Sequence, residues 1–267
     1  MIKQLRITAS IAGAIAVLMS CEKDTIDSEN NVEAVSTEVV VSQTSTLDAL
    51  QQKLSLSEED TDWLAQHLDG ELENINDFLD TDANLDERRK LVRQTLQFFQ
   101  EEQVTAQGQN DKQGQKAASS LTSEEQKIFN TLSSSQRFHY LYSGYLAQSY
   151  AKRYYEDTPK TQRNGKGDAF RHTAWNALSA IRLGVETTKR LTDAHEVLDN
   201  GRVNNALEES MDLFNNAIGR GLNVKSTFVG LMEAKFAVDL GRTQYITPTN
   251  ADGSVQNGVS QLKFTNQ

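Results

Sequence analysis

The side chains best suited to chemistry are concentrated in one short stretch, residues 167–176. Within it, Asp168 is followed at three and four positions by Arg171 and His172. Side chains at these offsets lie on one face of a helix. A carboxylate, a guanidinium and an imidazole on one face could bind a divalent metal or carry out acid–base hydrolysis.

A second stretch, residues 211–220, repeats this spacing with different side chains. Asp212 is followed at three and four positions by Asn215 and Asn216, and Arg220 lies one further turn along. If the polar faces of the two helices meet, they enclose a small polar interior. His195 and Glu196, in the segment between the two stretches, could supply a third wall.

Three interpretations of this set are open. In the first, a divalent metal such as zinc is held by four candidate ligands, which are Asp168, His172, His195 and Asp212. In the second, His172 activates water, and Arg171 or Arg220 holds an anionic group or a developing oxyanion. In the third, the same side chains form a structural hydrogen-bond network that needs no ligand.

We predict two groups of site residues from these interpretations. The candidate catalytic residues are His172, Asp168, Arg171, His195 and Glu196. The candidate ligand-binding residues are Asn176, Asn215, Asn216, Arg220 and Trp175. The corresponding functions are a metal-assisted or His-based hydrolase and, as the alternative, a non-enzymatic binding or scaffold protein whose polar motif is structural.

The candidate residues lie on helices that the periodicity of apolar side chains predicts. Apolar side chains recur at helical spacing across residues 168–183, 186–198, 205–221 and 225–241. Alternation in residues 244–247 and the turn signal Asp252-Gly253 indicate a small terminal hairpin. We therefore predict an all-α fold, a multi-helix orthogonal bundle with a small C-terminal β-hairpin or an irregular tail.

Composition divides the chain into six segments. A Gln-, Gly-, Ala- and Ser-rich stretch separates two helical regions and is typical of a linker. The predicted segments are a signal peptide (1–20), a flexible tether (21–46), an N-terminal helical hairpin or small bundle (47–104), a linker (105–120), a main helical domain (121–242) and a tail or hairpin (243–267).

The N-terminal segment has the features of an export signal with a lipidation site. Lys3 and Arg6 precede a short apolar core, and residues 18–21 (Leu-Met-Ser-Cys) match the lipobox of bacterial lipoproteins. The match implies lipidation of Cys21, the only Cys of the chain, and a membrane anchor. An ordinary secretory signal with an unrelated Cys is the alternative. Residues 22–24 resemble the acidic run that directs lipoproteins of Bacteroidetes-type bacteria to the cell surface.

The net charge of the chain reduces the classes of partner that it is suited to bind. Cleavage before Cys21 would remove two basic residues and no acidic one, which takes the formal net charge from −10 to −12. An acidic protein is poorly suited to binding a phosphate backbone, which requires clustered Lys and Arg, so no nucleic-acid partner is predicted. Anionic lipid would also repel it, so the acyl chain must hold it on the membrane. We expect a lipid-anchored cell-envelope protein, in the outer membrane and facing the cell surface.

Three segments together resemble the signature of a known family. Residues 168–176 read D-A-F-R-H-T-A-W-N, residues 194–196 read A-H-E, and residues 211–220 read M-D-L-F-N-N-A-I-G-R. The same order occurs in an uncharacterised bacterial domain family found in secreted, wall-associated and lipoprotein chains. The resemblance covers about residues 137–242 and implies no particular activity.

Overall fold

The computed structural model describes residues 46–80, 84–105, 121–197 and 205–267. The predicted signal peptide, Cys21, the tether up to residue 45 and linker residues 106–120 lie outside the described residues. The remainder is a set of packed helices with one small sheet near the C-terminus. This confirms the predicted all-α class with a C-terminal hairpin.

The elements follow in chain order. The N-terminal helices are α1 (46–54), α2 (Glu58–His67), α3 (Leu72–Leu79) and α4 (Leu85–Thr105), with a short 3-10 turn at Asp69–Glu71 before α3. The following helices are α5 (Ser123–Phe129), α6 (Ser134–Tyr154), α7 (Pro159–Gln162), α8 (Lys166–Leu183), α9 (Val185–His195), α10 (Ala206–Gly221) and α11 (Thr227–Asp239). Strands β1 (Gln244–Thr247) and β2 (Gln261–Phe264) pair antiparallel, with Gln244 opposite Phe264.

Helix α11 is the element around which the core is organised. Most of its side chains are apolar and buried, a pattern typical of a helix with neighbours on several sides. One side contributes Phe228, Met232 and Phe236 to a cluster with the N-terminal helices. The other side contributes Leu231 and Ala234 to a cluster with α6 and α8. The N-terminal helices and the site-bearing helices therefore pack on opposite sides of one buried helix.

Helix α8 carries most of the candidate residues and is buried on nearly every side. Phe170, Ala174 and Leu178 pack into the core with α6 and α11. The polar side of the helix, with Asp168 and His172, is buried as well. Because the helix is enclosed, its polar side chains must find partners on neighbouring helices rather than in solvent.

The C-terminal sheet is attached to the site-bearing helices by side-chain amides. Asn215 on α10 bonds to the backbone of Gln244, accepting its N–H at 2.8 Å and donating to its carbonyl at 2.9 Å. The carbonyl of Asn164 accepts the N–H of Ile246 at 2.8 Å. A two-stranded sheet is marginal by itself, so these bonds hold β1 against the helical domain.

None of the helices within the described ranges has both the length and the apolar character required to span a bilayer.

Candidate metal centre

Two helices bring three predicted ligands together. Helix α8 supplies Asp168 and His172 one turn apart, and α10 supplies Asp212 from the facing side. The Nε2 atom of His172 lies 3.4 Å from Oδ1 of Asp168 and 3.3 Å from Oδ1 of Asp212. One ligand atom from each of the three residues lies within 4.8 Å of the others.

The opposite edge of the His172 ring faces an amide with a fixed orientation. Asn216 donates from Nδ2 to Glu196 at 2.9 Å, and its Oδ1 accepts from Asn176 at 2.6 Å. That same Oδ1 lies 3.2 Å from Nδ1 of His172. Since this oxygen can only accept, Nδ1 carries a hydrogen, and the proton that the ring can lose is on Nε2.

Asp168 is fixed by the start of its own helix. Helix α8 begins at Lys166 after an extended Gly165, so Asp168 lies in the first turn, three residues after the cap position. Its Oδ2 accepts the backbone N–H of Asn164 at 2.6 Å, and Asn164 adopts a positive φ of 62° to present it. Its Oδ1 accepts from the guanidinium of Arg171, whose side chain is one-third exposed.

Burial and charge shift the ionisation of this cluster. Burial alone would raise the pKa of Asp168, but Arg171, His172 and the Asn164 N–H hold it well below its ordinary value. Burial alone would lower the pKa of His172, yet Asp212, Glu196 and Asp168 raise it to about 9. Burial, together with Asp168 and Glu196, raises the pKa of Asp212 to about 8. Around neutral pH the metal-free cluster therefore retains protons that a cation could replace.

The predicted binding residues Asn176 and Arg220 belong to a neighbouring polar network. Arg220 donates to Oδ1 of Asn176 at 2.8 Å and to Oγ1 of Thr192 at 3.1 Å. It also lies 3.5 Å from Asp193. Thr192 donates to Oδ1 of Asn176 at 2.8 Å, and Asn176 in turn donates to Asn216. This network ties α8, α9 and α10 together and supports the amide that faces His172.

The structure places the fourth predicted ligand, His195, in a different pair. Its Nδ1 lies 2.8 Å from Oε2 of Glu125 on α5, and its ring packs edge-on to Trp175 with centroids 4.8 Å apart. Trp175 in turn donates from Nε1 to the carbonyl of Tyr140 at 3.3 Å.

Glu196 does reach the cluster, with Oε1 3.5 Å from Nδ1 of His172. Asn215 is directed to β1 rather than to the cluster.

Four residues at these sites were not among our sequence predictions. Asn164, Glu125, Tyr140 and Thr192 are all buried, and each is hydrogen-bonded to a predicted residue, Tyr140 through its backbone carbonyl. The one available signal was the helix start at Thr122, where Glu125 completes a capping box. That signal predicts a bond to Thr122 but does not predict the bond to His195.

The elements that carry these residues are similar to a family of unknown function. Residues 136–238 match a family model described as a domain of unknown function (DUF6973). The match extends from the first turn of α6 almost to the end of α11 and includes every residue of the cluster. It confirms the expected relation to an uncharacterised domain family. No curated protein and no solved structure matches the chain.

Proposed function

We propose that the helical domain binds a divalent transition metal, zinc in the first instance, through Asp168, His172 and Asp212. A metal held by three protein ligands retains an open position, and at such a position it can activate water for hydrolysis. We therefore propose a metal-assisted hydrolase. The observation that carries the proposal is the pair of distances from Nε2 of His172 to the carboxylate oxygens of Asp168 and Asp212.

That spacing suits a shared ion better than a direct hydrogen bond. Charge-assisted N–H···O bonds are about 2.7–2.9 Å long. Here Nε2 of His172 is 3.4 Å from Asp168 and 3.3 Å from Asp212. Ligand atoms about 2.0–2.1 Å from a tetrahedral zinc are separated by about 3.3–3.4 Å. In addition, Oδ1 of Asp212 is buried without a hydrogen-bond partner among the described residues.

The surroundings of His172 are those of a metal ligand. Metal-binding imidazoles usually donate their second N–H to a carboxylate or a carbonyl, which fixes the ring. Asn216 accepts that N–H from His172, and Glu196 lies behind the amide. Loss of the remaining proton leaves the Nε2 lone pair directed at the two carboxylates.

Arg171 supplies a positive charge beside the proposed metal ligands. Its guanidinium pairs with Asp168 and lies 3.1 Å from Nε2 of His172. Two carboxylates, those of Asp168 and Asp212, face this edge of the ring, and Glu196 lies at the opposite edge, 3.5 Å from Nδ1. Because the side chain of Arg171 is one-third exposed, it can turn toward solvent when a metal binds. There it could hold an anionic group of a substrate.

Zinc binding is the direct test. We expect the purified full-length protein to bind one zinc ion per chain, and Asp212→Asn to weaken the affinity by about 100-fold or more, the upper end of the loss reported for outer-shell partners alone. The metal must displace the proton of His172, whose pKa is about 9, so the affinity should be higher at pH 8 than at pH 6.5. Isothermal titration calorimetry measures both effects, together with the protons released.

Asp157→Asn is the matched control, because Asp157 is exposed and pairs with Lys152, away from the triad and its supporting network. It should leave the zinc affinity nearly unchanged.

Zinc-dependent cleavage of p-nitrophenyl acetate or bis(p-nitrophenyl) phosphate, lost in Asp212→Asn, would support hydrolysis. If zinc and manganese both fail to bind at micromolar concentration, the metal proposal is wrong. The hydrogen-bonded network from Asn176 to Arg220 then favours the alternative, a binding or scaffold protein with a structural polar interior.

We also propose that the protein is anchored in the bacterial cell envelope through a lipid on Cys21. The support is the lipobox at residues 18–21 and the absence of any other Cys in the sequence. In cells fed an alkyne analogue of palmitate, the wild-type chain should take up the label and sediment with membranes. Cys21→Ser should lose the label completely and leave the membrane fraction. Retention of the Cys21→Ser chain in membranes would exclude this anchor.

A further inference from the structure

A second buried carboxylate lies outside the triad of Asp168, His172 and Asp212. Glu125 on α5 is fully buried, and both of its oxygens are engaged. Oε1 accepts from the hydroxyl of Tyr140 at 2.6 Å, and Oε2 lies 2.8 Å from Nδ1 of His195. Because the carboxylate is held from both ends, one of its oxygens stays directed at the imidazole.

Tyr140 acts as a hydrogen donor in this arrangement. Burial, reinforced by Glu125, raises the pKa of Tyr140 well above its ordinary value, so the hydroxyl keeps its proton. The ring of Tyr140 is itself fully buried and packs against Trp175 with centroids 5.1 Å apart. Tyr140 therefore fixes Glu125 through a hydrogen bond and Trp175 through ring packing.

His195 connects this buried cluster to the protein surface. Its side chain is 31% exposed, although its partner Glu125 is completely enclosed. The ring lies edge-on to Trp175, and Nε2 has no hydrogen-bond partner among the described residues. The imidazole is thus oriented by a carboxylate and an indole while one edge remains available to solvent.

We propose that His195 is a proton-transfer residue and that Glu125 and Tyr140 are its positioning residues. Glu125 accepts the hydrogen of Nδ1, which leaves the lone pair on Nε2. Nε2 takes a proton from water or from a hydroxyl group of a ligand at this surface. Glu125 stabilises the resulting imidazolium, and the same proton leaves from Nε2 to a leaving group or to solvent. The site does not depend on metal binding.

The position of His195 relates this site to the metal centre. Trp175 follows His172 by three residues, so the two side chains leave the same face of α8 about one turn apart. The residue after His195, Glu196, lies 3.5 Å from the ring of His172. The proton-transfer site therefore lies at the edge of the polar face that holds the triad.

The reactivity of Nε2 can be measured without knowing a substrate. Diethyl pyrocarbonate acylates an unprotonated imidazole nitrogen, and peptide mapping by mass spectrometry gives a separate rate for each of the four His residues of the chain. His67 is the internal reference, since its exposed ring places Nδ1 2.9 Å from the neutral carbonyl of Trp63. We expect His195 to react about tenfold faster than His67, because Glu125 holds the hydrogen on Nδ1 and leaves the lone pair on Nε2, the nitrogen that is acylated.

Substitutions on α5 provide the controls. Glu125→Gln should reduce the rate at His195 to that of His67 and leave His67 unchanged. Glu124→Gln removes the neighbouring carboxylate, which pairs with Lys127 instead, and should have no effect at His195. Equal rates at His195 in the wild type and in Glu125→Gln would overturn the proposal.

A measurement on the unaltered protein decides the matter even if Glu125→Gln does not fold. In a ¹⁵N-labelled sample at pH 8, long-range ¹H–¹⁵N correlation spectra should show His195 with its hydrogen on Nδ1 and a lone pair on Nε2. A ring with its hydrogen on Nε2, or with hydrogens on both nitrogens, would contradict the proposal.

Discussion

Replacing Asp168 with Ala is expected to lower the free energy of unfolding by about 3 kcal/mol, the cost of breaking a buried ion pair by removing one partner. The carboxylate is 4% exposed and has three partners: the guanidinium of Arg171, the ring of His172 and the N–H of Asn164. Its loss leaves a buried N–H unpaired and a buried imidazole with one anion fewer. Denaturation in urea measures the change, and the melting temperature should fall by about 6–12 °C.

Two further variants test whether the effect comes from the buried charge of Asp168. Asp168→Asn keeps an oxygen for the Asn164 N–H and should retain part of the stability. Asp86→Ala is the matched control, because Asp86 also lies in a first helical turn and pairs with an Arg three residues later, Arg89. Its carboxylate is exposed, so screening by solvent makes the pair weak. If Asp168→Ala and Asp86→Ala unfold at the same urea concentration, the buried cluster does not stabilise the fold.

A methyl group at Gly219 is expected to separate α8 from α10. A Cβ built at this position lies 2.1 Å from the carbonyl oxygen of Thr173 and 2.9 Å from Cβ of Asn176. Both contacts are with the body of α8, not with the end of a flexible side chain. Gly219→Ala should therefore cost about 2–3 kcal/mol of stability, the upper part of the range of about 1–3 kcal/mol for overpacking.

The same substitution should weaken zinc binding, because Asp212 and Asn216 lie on the helix that must move away from His172. Gly221→Ala is the matched control in the last turn of α10, where a Cβ meets nothing within 4 Å. There Ala should leave stability equal or higher, since Gly is the poorer helix former. A Gly219→Ala protein with wild-type melting temperature and zinc affinity would show that this close approach does not control the site.

Local patterns were enough to predict the helices and the contents of each polar face. Helix α8 extends over Lys166–Leu183, against a prediction of 168–183, and β1 has the predicted bounds. The start of α8 differs because extended Gly165, and not Gly167, precedes the helix. Asp168 and His172 share a face because four residues are about one helical turn, which involves no other part of the chain.

Which polar residues meet depends on contacts between distant helices. His195 and Asp212 were equally plausible partners for His172, yet Asp212 lies 3.3 Å from it and His195 pairs with Glu125, seventy positions earlier in the chain. The approach of α8 and α10 at Gly219 places Asp212, and the packing of α5 on α9 places Glu125. Periodicity is a property of neighbouring residues, so it was sufficient to predict an all-α chain with two polar helical faces. Contacts between distant helices depend on shape and packing, and these decided that the two faces form a triad with a separate imidazole–carboxylate pair beside it.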